Sequence, residues 1–304
     1  MNHEKYLILI RIAPTSVACP VSRTRRHSCL ERRRRGQLWT NAANWHGLAP
    51  VVGDDIVFPG TAPADSLINT NNFPPGTLFG SLTISGTNYN LSGNSIILTN
   101  GISHASGGTN SLALFLQLNA SQRFEATVAS GELDASGNIN LNGNNLTNDI
   151  TGRINLEGEI SGTGNLVKNG AGTLFLFGDS PNTYVGSMTV NDGILELGKS
   201  DHTILGNLQI GDGVGAVDSA VVFMFADNQI NDSSAVTIED DGLLDLNNSQ
   251  DARRQRHGRP RDHEWQRHDF AREQSRPAHY QQLHVHCVVQ LQGGAQRHDA
   301  RLRL

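Results

Sequence analysis

The chain has 304 residues, and its 24 lysines and arginines and 29 aspartates and glutamates give a formal net charge of −5. The charges are segregated, because residues 38–250 hold only four of the basic residues but 21 of the acidic ones, a net charge of −17 for this part. An acidic body of this kind repels nucleic acid and anionic membranes. No run of 18 apolar residues occurs, so the sequence predicts no membrane span.

Residues 1–37 form a basic N-terminal flank with two interpretations. Lys5, the apolar run Tyr6–Ile10 and the small residues Ser16 and Ala18 are typical of a secretory signal. The apolar run is short, however, and the arginines that follow, with four in a row at Arg32–Arg35, oppose export. The alternative is a wrongly chosen start or a stretch read in the wrong frame.

The acidic body opens with two tryptophans, Trp39 and Trp45. Large apolar rings at this position are expected to cap the open end of a stacked fold, which would otherwise expose its core. A platform for stacking carbohydrate is the alternative function of the same rings. Residues 62–75 are rich in Pro, Asn and Asp and are predicted to be a loop.

From Ser81 to Leu246 the sequence alternates short apolar runs with Gly, Asn and Asp corners. The segment Gly164–Lys199 shows the pattern most clearly, with strands predicted around Leu166, Leu174, Met188 and Leu195. Residues two apart on a strand share a face, so four leucines are predicted to point inward: Leu174, Leu176, Leu195 and Leu197. No window has the spacing of an amphipathic helix.

This segment resembles the autotransporter-associated β-strand repeat, also called the passenger-associated transport repeat, of bacterial surface proteins. The matching positions are turn formers and core fillers, and they identify the family and no particular activity. They are Gly164, Leu166, Lys168, Gly170, Gly172, Thr173, Leu174, Leu176, Gly178, Asn182, Tyr184, Gly186, Thr189, Val190, Gly193, Leu195, Leu197 and Gly198. The region from Trp39 to Phe58 is similar to an opening often found ahead of this repeat.

Strand starts recur along the body at irregular intervals. Taking Leu166, Met188, Leu208 and Val236 as equivalent points gives steps of 22, 20 and 28 residues. Irregular periods near 20 with such short strands indicate an all-β fold, a right-handed parallel β-helix of irregular coils. Its many asparagines are expected at corners, where they tolerate left-handed backbone and bond to the equivalent residue of the next coil.

At Asp251 the composition changes abruptly. Residues 251–304 contain no Asn, Thr, Ile, Lys or Met, but 11 arginines and seven histidines. The favoured interpretation is that this tail is further repeat sequence translated in the wrong frame, or is disordered. The alternatives are a basic tail for a polyanion and a metal site around His279, His284 and His286.

The body holds no convincing catalytic, cofactor or metal site. Its four basic residues lie far apart, and nucleophile and phosphate-binding motifs are missing. Asp212 and Glu239–Asp241 lack the spacing of calcium loops and are interpreted as turn-capping acids. The three cysteines, Cys19, Cys29 and Cys287, predict neither a disulfide framework nor a zinc site.

The resemblance implies a secreted or cell-surface β-helical passenger fragment, structural or adhesive and not an enzyme, with a repeat that aids export and folding. Host or environmental glycans or proteins are the expected partners, and no cofactor is expected. An outer-membrane barrel is expected elsewhere or is missing. A polysaccharide lyase or glycosidase on a β-helix scaffold is the alternative function.

Overall fold

A computed structural model describes residues 27–30, 38–61, 67–247 and 302–303 of the chain. Almost all regular structure in these ranges is β-strand, together with one short helix at Ala42–Asn44. No helix among the described residues is long and apolar enough to cross a membrane.

The strands are short and bounded by glycine and asparagine turns, as the punctuated sequence predicts. In chain order they are β1 His27–Cys29, β2 Asp55–Phe58, β3 Ile68–Asn71, β4 Thr77–Ile84, β5 Asn90–Gly93, β6 Ile96–His104, β7 Thr109–Ala113, β8 Leu116–Leu118, β9 Gln122–Ala126, β10 Glu132–Ala135, β11 Ile139–Asn140, β12 Leu146–Ile150, β13 Arg153–Leu156, β14 Ile160–Ser161, β15 Leu166–Asn169, β16 Thr173–Gly178, β17 Met188–Val190, β18 Gly193–Lys199, β19 Leu208–Ile210, β20 Ala220–Met224, β21 Val236–Ile238, β22 Gly242–Asp245 and β23 Leu302–Arg303.

Every strand pairing is parallel, and the strands stack into two long ladders. We call the ladder β1-β2-β4-β6-β9-β12-β15-β17-β19-β21 sheet A, and the ladder β3-β5-β7-β10-β13-β16-β18-β20-β22-β23 sheet B. A short third ladder joins the first halves of β4 and β6 to β8, β11 and β14. Each coil therefore passes through sheet A, then sheet B, then the third side, which confirms the predicted parallel β-helix. Its right-handed winding stays a prediction.

The register confirms the predicted period. Leu166 pairs with Met188, Met188 with Leu208, and Leu208 with Val236, so the irregular steps of the sequence are successive coils. Alternate residues of most strands between β2 and β22 point into one continuous apolar core that runs along the axis. Because each coil contacts mainly its two neighbours, the fold is stabilised coil by coil, as in other solenoids.

Asparagine side chains connect the coils at the corner before sheet A. Asn145 Oδ1 accepts the backbone N–H of Asn165 at 2.9 Å, and Asn165 Oδ1 accepts that of Ser187 at 2.9 Å. At the corner after sheet A, Asn191, which follows β17, donates from its Nδ2 to Oδ1 of Asn169, the last residue of β15, at 2.8 Å. These bonds confirm that corner asparagines link each coil to the next.

The first coils contain a strand where the sequence predicts a loop. Within the predicted loop 62–75, residues Ile68–Asn71 form β3, so that part of the loop prediction is wrong. Its inward residues are Asn69 and Asn71 instead of apolar side chains, and Asn71 Nδ2 donates to the carbonyl of Asn94 at 2.7 Å. A strand with a polar interior face has no apolar alternation by which the sequence could reveal it.

The two tryptophans cap the core. Trp39 is fully buried and Trp45 is 2% exposed. Trp39 lies 5.7 Å from Phe58 and 5.8 Å from Phe79 between ring centroids, within an aromatic cluster at the first coils. Rings buried in this way have no free face for a sugar, so the carbohydrate platform is wrong and the cap is confirmed.

Parts of both basic flanks pair with the coil. His27–Cys29 pairs with β2 and Leu302–Arg303 pairs with β22. Cys29 is disulfide-bonded, which the cysteine count did not indicate. Leu30 is buried in the core. The remaining residues of the predicted flanks 1–37 and 251–304, including the histidines considered as metal ligands, lie outside the described residues.

Candidate functional site

The repeat segment forms one coil, with β15 and β16, and the sheet A and sheet B sides of the next, with β17 and β18. Its apolar signature residues all point inward and are at most 1% exposed: Leu166, Leu174, Leu176, Tyr184, Val190, Leu195 and Leu197. The registers place Leu174 beside Leu195 and Leu176 beside Leu197 in sheet B. The predicted inward orientation of the four leucines is therefore confirmed, and each leucine packs against its counterpart one coil away.

The signature glycines lie where one coil crosses the backbone of the preceding one. A β-carbon on Gly186 would overlap the carbonyl oxygen of Gly164. Gly193 meets the same obstacle at the carbonyls of Gly170 and Gly172, and its φ of +71° also disfavours any other residue. Gly164, Gly170, Gly172 and Gly178 contact the preceding coil in the same way, and Thr173 faces outward between them.

Lys168, a signature residue, is buried with no exposed surface. It points inward because it lies two residues after Leu166 on β15. Its Nζ donates to the carbonyl oxygens of Asn169 at 3.0 Å, Gly170 at 2.5 Å and Asp192 at 3.0 Å, so all three ammonium protons are used. Burial lowers the pKa of this ammonium from 10.5 to about 8, against the opposing effects of Asp192 and Asp149.

Lys199 repeats this arrangement at the end of β18. It is fully buried, and its Nζ donates to the carbonyls of Glu157 at 2.9 Å, Gly158 at 3.0 Å and Phe177 at 3.1 Å. Burial lowers its pKa from 10.5 to about 8, while nearby Glu159 and Glu157 oppose the shift.

The backbone of Lys199 extends the connection to a fourth coil. Its N–H donates to Gln229 Oε1 at 3.0 Å, and its carbonyl accepts from Gln229 Nε2 at 2.9 Å. Gln229 is itself fully buried. Lys199 thus connects four coils: its own, the two earlier ones that contain β13 and β16, and the following one that contains β20. We call Lys199 and Gln229 the four-coil clamp.

The outer side of sheet B carries four phenylalanines, which we call the aromatic face: Phe175, Phe177, Phe223 and Phe225. Phe175 and Phe177 stack with centroids 4.5 Å apart, Phe175 lies 5.5 Å from Phe225, and Phe223 lies 4.8 Å from Phe225. Phe225 is 54% exposed. Gly198 lies beneath these rings and its missing side chain leaves them room, since a β-carbon there would approach Phe175 to 3.1 Å.

Carboxylates alternate with these rings across the sheet. The register places Phe175 beside Glu196, Glu196 beside Phe223, and Phe223 beside Asp245. Strand neighbours in a sheet are about 4.8 Å apart, so Phe175 and Phe223 each lie next to an acid. The aromatic face therefore combines exposed π surfaces with negative charge.

Arg153 shows what this combination binds. Its guanidinium lies 5.1 Å from the centroid of the Phe175 ring, and its Nη2 donates to Glu196 Oε2 at 2.7 Å. The side chain reaches two coils along sheet B to make this ion pair. The face thus already holds one cation between a phenylalanine and a glutamate.

The other sequence candidates have structural roles. Asp212 Oδ1 accepts the N–H of Val214 at 2.9 Å and Asp241 Oδ1 accepts that of Gly213 at 2.9 Å, which confirms these two as turn-capping acids. Across the described ranges no three His, Cys, Asp or Glu residues come together in a way that could hold a metal ion. His104 is buried and its Nε2 lies 2.8 Å from Asn110 Nδ2.

The sequence reasoning missed Lys199 as a buried residue and the aromatic face as a surface. Both had a signal in the period-two pattern. Lys199 has the same parity as Leu195 and Leu197, which predicts an inward side chain. Phe175 and Phe177 alternate with Leu174 and Leu176, which predicts outward rings.

Comparison with known proteins agrees with this structure. The sequence model of the Passenger-associated-transport-repeat matches residues 166–197. Neither the curated proteins nor the solved structures yield a match. The matched residues form β15, β16, β17 and most of β18, whose inward apolar side chains are buried. The chain is an all-β solenoid that carries a passenger-associated-transport-repeat at residues 166–197.

Proposed function

We propose that this chain is a passenger fragment that acts outside the cell, secreted or held at the outer-membrane surface, with a structural and adhesive role. In this proposal the repeat aids export and folding. The resemblance of the repeat to those of autotransporter passengers supports an exported location. We also propose that the chain is not an enzyme, because Lys168 and Lys199 are buried and Arg123 and Arg153 pair with Asp149 and Glu196 instead of lining an acidic groove.

The observation that carries the proposal is the four-coil clamp. A chain that emerges through a membrane from one end can fold only onto coils that have already emerged. Lys199 bonds to carbonyls of earlier coils and to Gln229 of the other neighbouring coil, so it stabilises the stack only once those coils are in place. Stacking in order from the repeat would hinder backsliding of the chain during export.

Surface display tests the export role. The full chain is placed between a signal peptide and an outer-membrane translocator in a Gram-negative host, and protease shaving of intact cells measures the displayed fraction. Leu176→Asp buries an unpaired charge in the repeat and is expected to lower display several-fold. Thr173→Asp places the same acid on the outer side of the same strand and serves as the matched control.

Equal display of Leu176→Asp, Thr173→Asp and the wild-type chain would overturn the export role of the repeat. Retention of all three inside the cell, with the translocator correctly inserted, would overturn the passenger assignment itself. The two outcomes are distinguishable because the translocator is detected separately.

A further inference from the structure

The aromatic face offers a second position like the one that Arg153 occupies. Phe223 lies in register between Glu196 and Asp245, with Phe225 packed at 4.8 Å from its ring. This ring between two acids repeats, one coil further on, the Phe175 and Glu196 pair that holds the Arg153 guanidinium. The order of ring and acid across the strands is the same, and Phe225 beside this ring is 54% exposed.

The coils between residues 67 and 247 supply no further cation to this position, and outside them the register places Arg303 beside Asp245 on the side away from Phe223. Lys168 and Lys199 point inward and are fully buried. Arg123 lies on sheet A, where its Nη1 donates to Asp149 Oδ2 at 2.9 Å. Arg153 is bound to Glu196 and lies over Phe175.

We propose that the Phe223–Phe225 part of the aromatic face binds a cationic side chain, arginine first and lysine second, of a basic segment in a partner protein. The arginine preference follows from geometry, because a planar guanidinium can lie flat on a ring and donate to a carboxylate at its edge at the same time. The acidic body adds long-range attraction for a basic partner.

An exposed aromatic patch also suits other partners, and charge decides between them here. A second copy of this chain would bring two strongly acidic bodies together, which self-repulsion opposes. A neutral glycan could stack on the rings but gains nothing from the carboxylates in register with Phe223. A basic protein segment uses both the rings and the acids.

This inference rests on the adhesive part of the proposed function, and its failure leaves the export role of the repeat intact. The test is fluorescence anisotropy of a labelled peptide that alternates glycine and arginine, titrated with the full chain. Peptides that alternate glycine with lysine and glycine with glutamate are run beside it. We expect binding in the order arginine, lysine, glutamate, and weaker binding as salt is raised, because exposed charges are screened.

Two variants locate the site. Phe223→Ala combined with Phe225→Ala removes outward rings that leave the core unchanged, and Asp245→Asn removes one charge while its Oδ1 can still accept the N–H of Asn247. The double phenylalanine variant is expected to weaken binding of the arginine peptide by about tenfold, and Asp245→Asn by about threefold. Glu125→Gln on sheet A is the matched charge control, and Val185→Ala, which is exposed away from this face, is the matched apolar control.

Three results would overturn the proposal. The first is equal binding of the arginine and glutamate peptides, or of the variants and their controls. The second is a neutral oligosaccharide that binds in a way that depends on the two rings but not on Asp245 or salt. The third is sedimentation that shifts from dimer to monomer when the rings are removed, which would assign the face to contacts between copies of this chain.

Discussion

The two buried ammonium groups make the stability of this solenoid depend on alkaline pH in a defined direction. Burial lowers the pKa of Lys168 and of Lys199 from 10.5 to about 8. Between those two values the unfolded chain binds more protons than the folded chain, so the free energy of unfolding rises with pH. Below about pH 8 both states are protonated and the cost of burying the charge is fully present.

The magnitude follows from the two pKa values. Raising the pH from 7 to about 9.5 deprotonates most of a folded lysine but little of an unfolded one, which adds about 2 kcal/mol per lysine. The wild-type chain should therefore gain about 4 kcal/mol over this range. The measurements stop there because of two buried tyrosines. Burial raises the pKa of Tyr89 and of Tyr184 above the ordinary value of 10. At higher pH these tyrosines ionise in the unfolded chain but not in the folded one, which lowers the free energy of unfolding and opposes the gain from the lysines.

Lys199→Met tests this reasoning with a side chain of similar length. It removes one ammonium, so the variant should gain only about 2 kcal/mol from pH 7 to about 9.5. It also leaves the carbonyls of Glu157, Gly158 and Phe177 without this donor, which costs about 1–3 kcal/mol for each one that stays unsatisfied.

Urea unfolding of the full chain at a series of pH values provides the assay, with tryptophan fluorescence and circular dichroism as probes. Arg123→Met, at a cation that is largely exposed, is the matched control and should keep the full gain. A wild-type chain whose stability is flat or falls between pH 8 and about 9.5 would refute the argument. It would show that the hydrogen bonds from each ammonium to its three carbonyl acceptors stabilise the charged form more than burial destabilises it.

Further predictions concern the core, the glycines and the flanks. Leu176→Asp should lower the free energy of unfolding by the several kcal/mol that an unpaired buried charge costs, and so lower the urea midpoint. Thr173→Asp should leave the midpoint unchanged, and equal midpoints for the two variants would refute the inward assignment. Gly186→Ala, which meets a backbone carbonyl, should cost more in thermal unfolding than Gly213→Ala, which has a φ of +77° but open space. Trypsin, followed by mass spectrometry, should cleave the arginines of residues 253–276 long before Lys168 and Lys199; equal protection would show that the tail is docked.

Apolar alternation explains why so much of the coil was predictable. Strands such as Thr173–Gly178 and Gly193–Lys199 place leucines at every second position between glycines, and this pattern determines both the strand and its inward face. The successive coils could be aligned because equivalent residues are apolar and begin equivalent strands. The cap was predictable for a similar reason, since two tryptophans close together in an acidic chain require burial.

The missed features depend on polar residues in unusual places. The strand Ile68–Asn71 buries Asn69 and Asn71, and the amide of Asn71 donates to the carbonyl of Asn94 one coil further on, which the local sequence does not show. Lys199 has inward parity, but burial of a lysine is favourable only if three carbonyls from earlier coils converge on it. The aromatic face likewise arises from register, because Phe175 and Phe225 are 50 residues apart in sequence and 5.5 Å apart in space.

The four-coil clamp also has a mechanical consequence. A solenoid pulled along its axis sheds its end coils singly, since each is held mainly by its neighbour. When unravelling from the carboxyl-terminal side reaches the coil of Gln229 and then that of Lys199, bonds to several coils must break together. Traction on a chain held at a surface would then unfold the outer coils at low force, and unfolding would stop at the repeat. The clamp would thus keep the inner coils of the solenoid folded under shear.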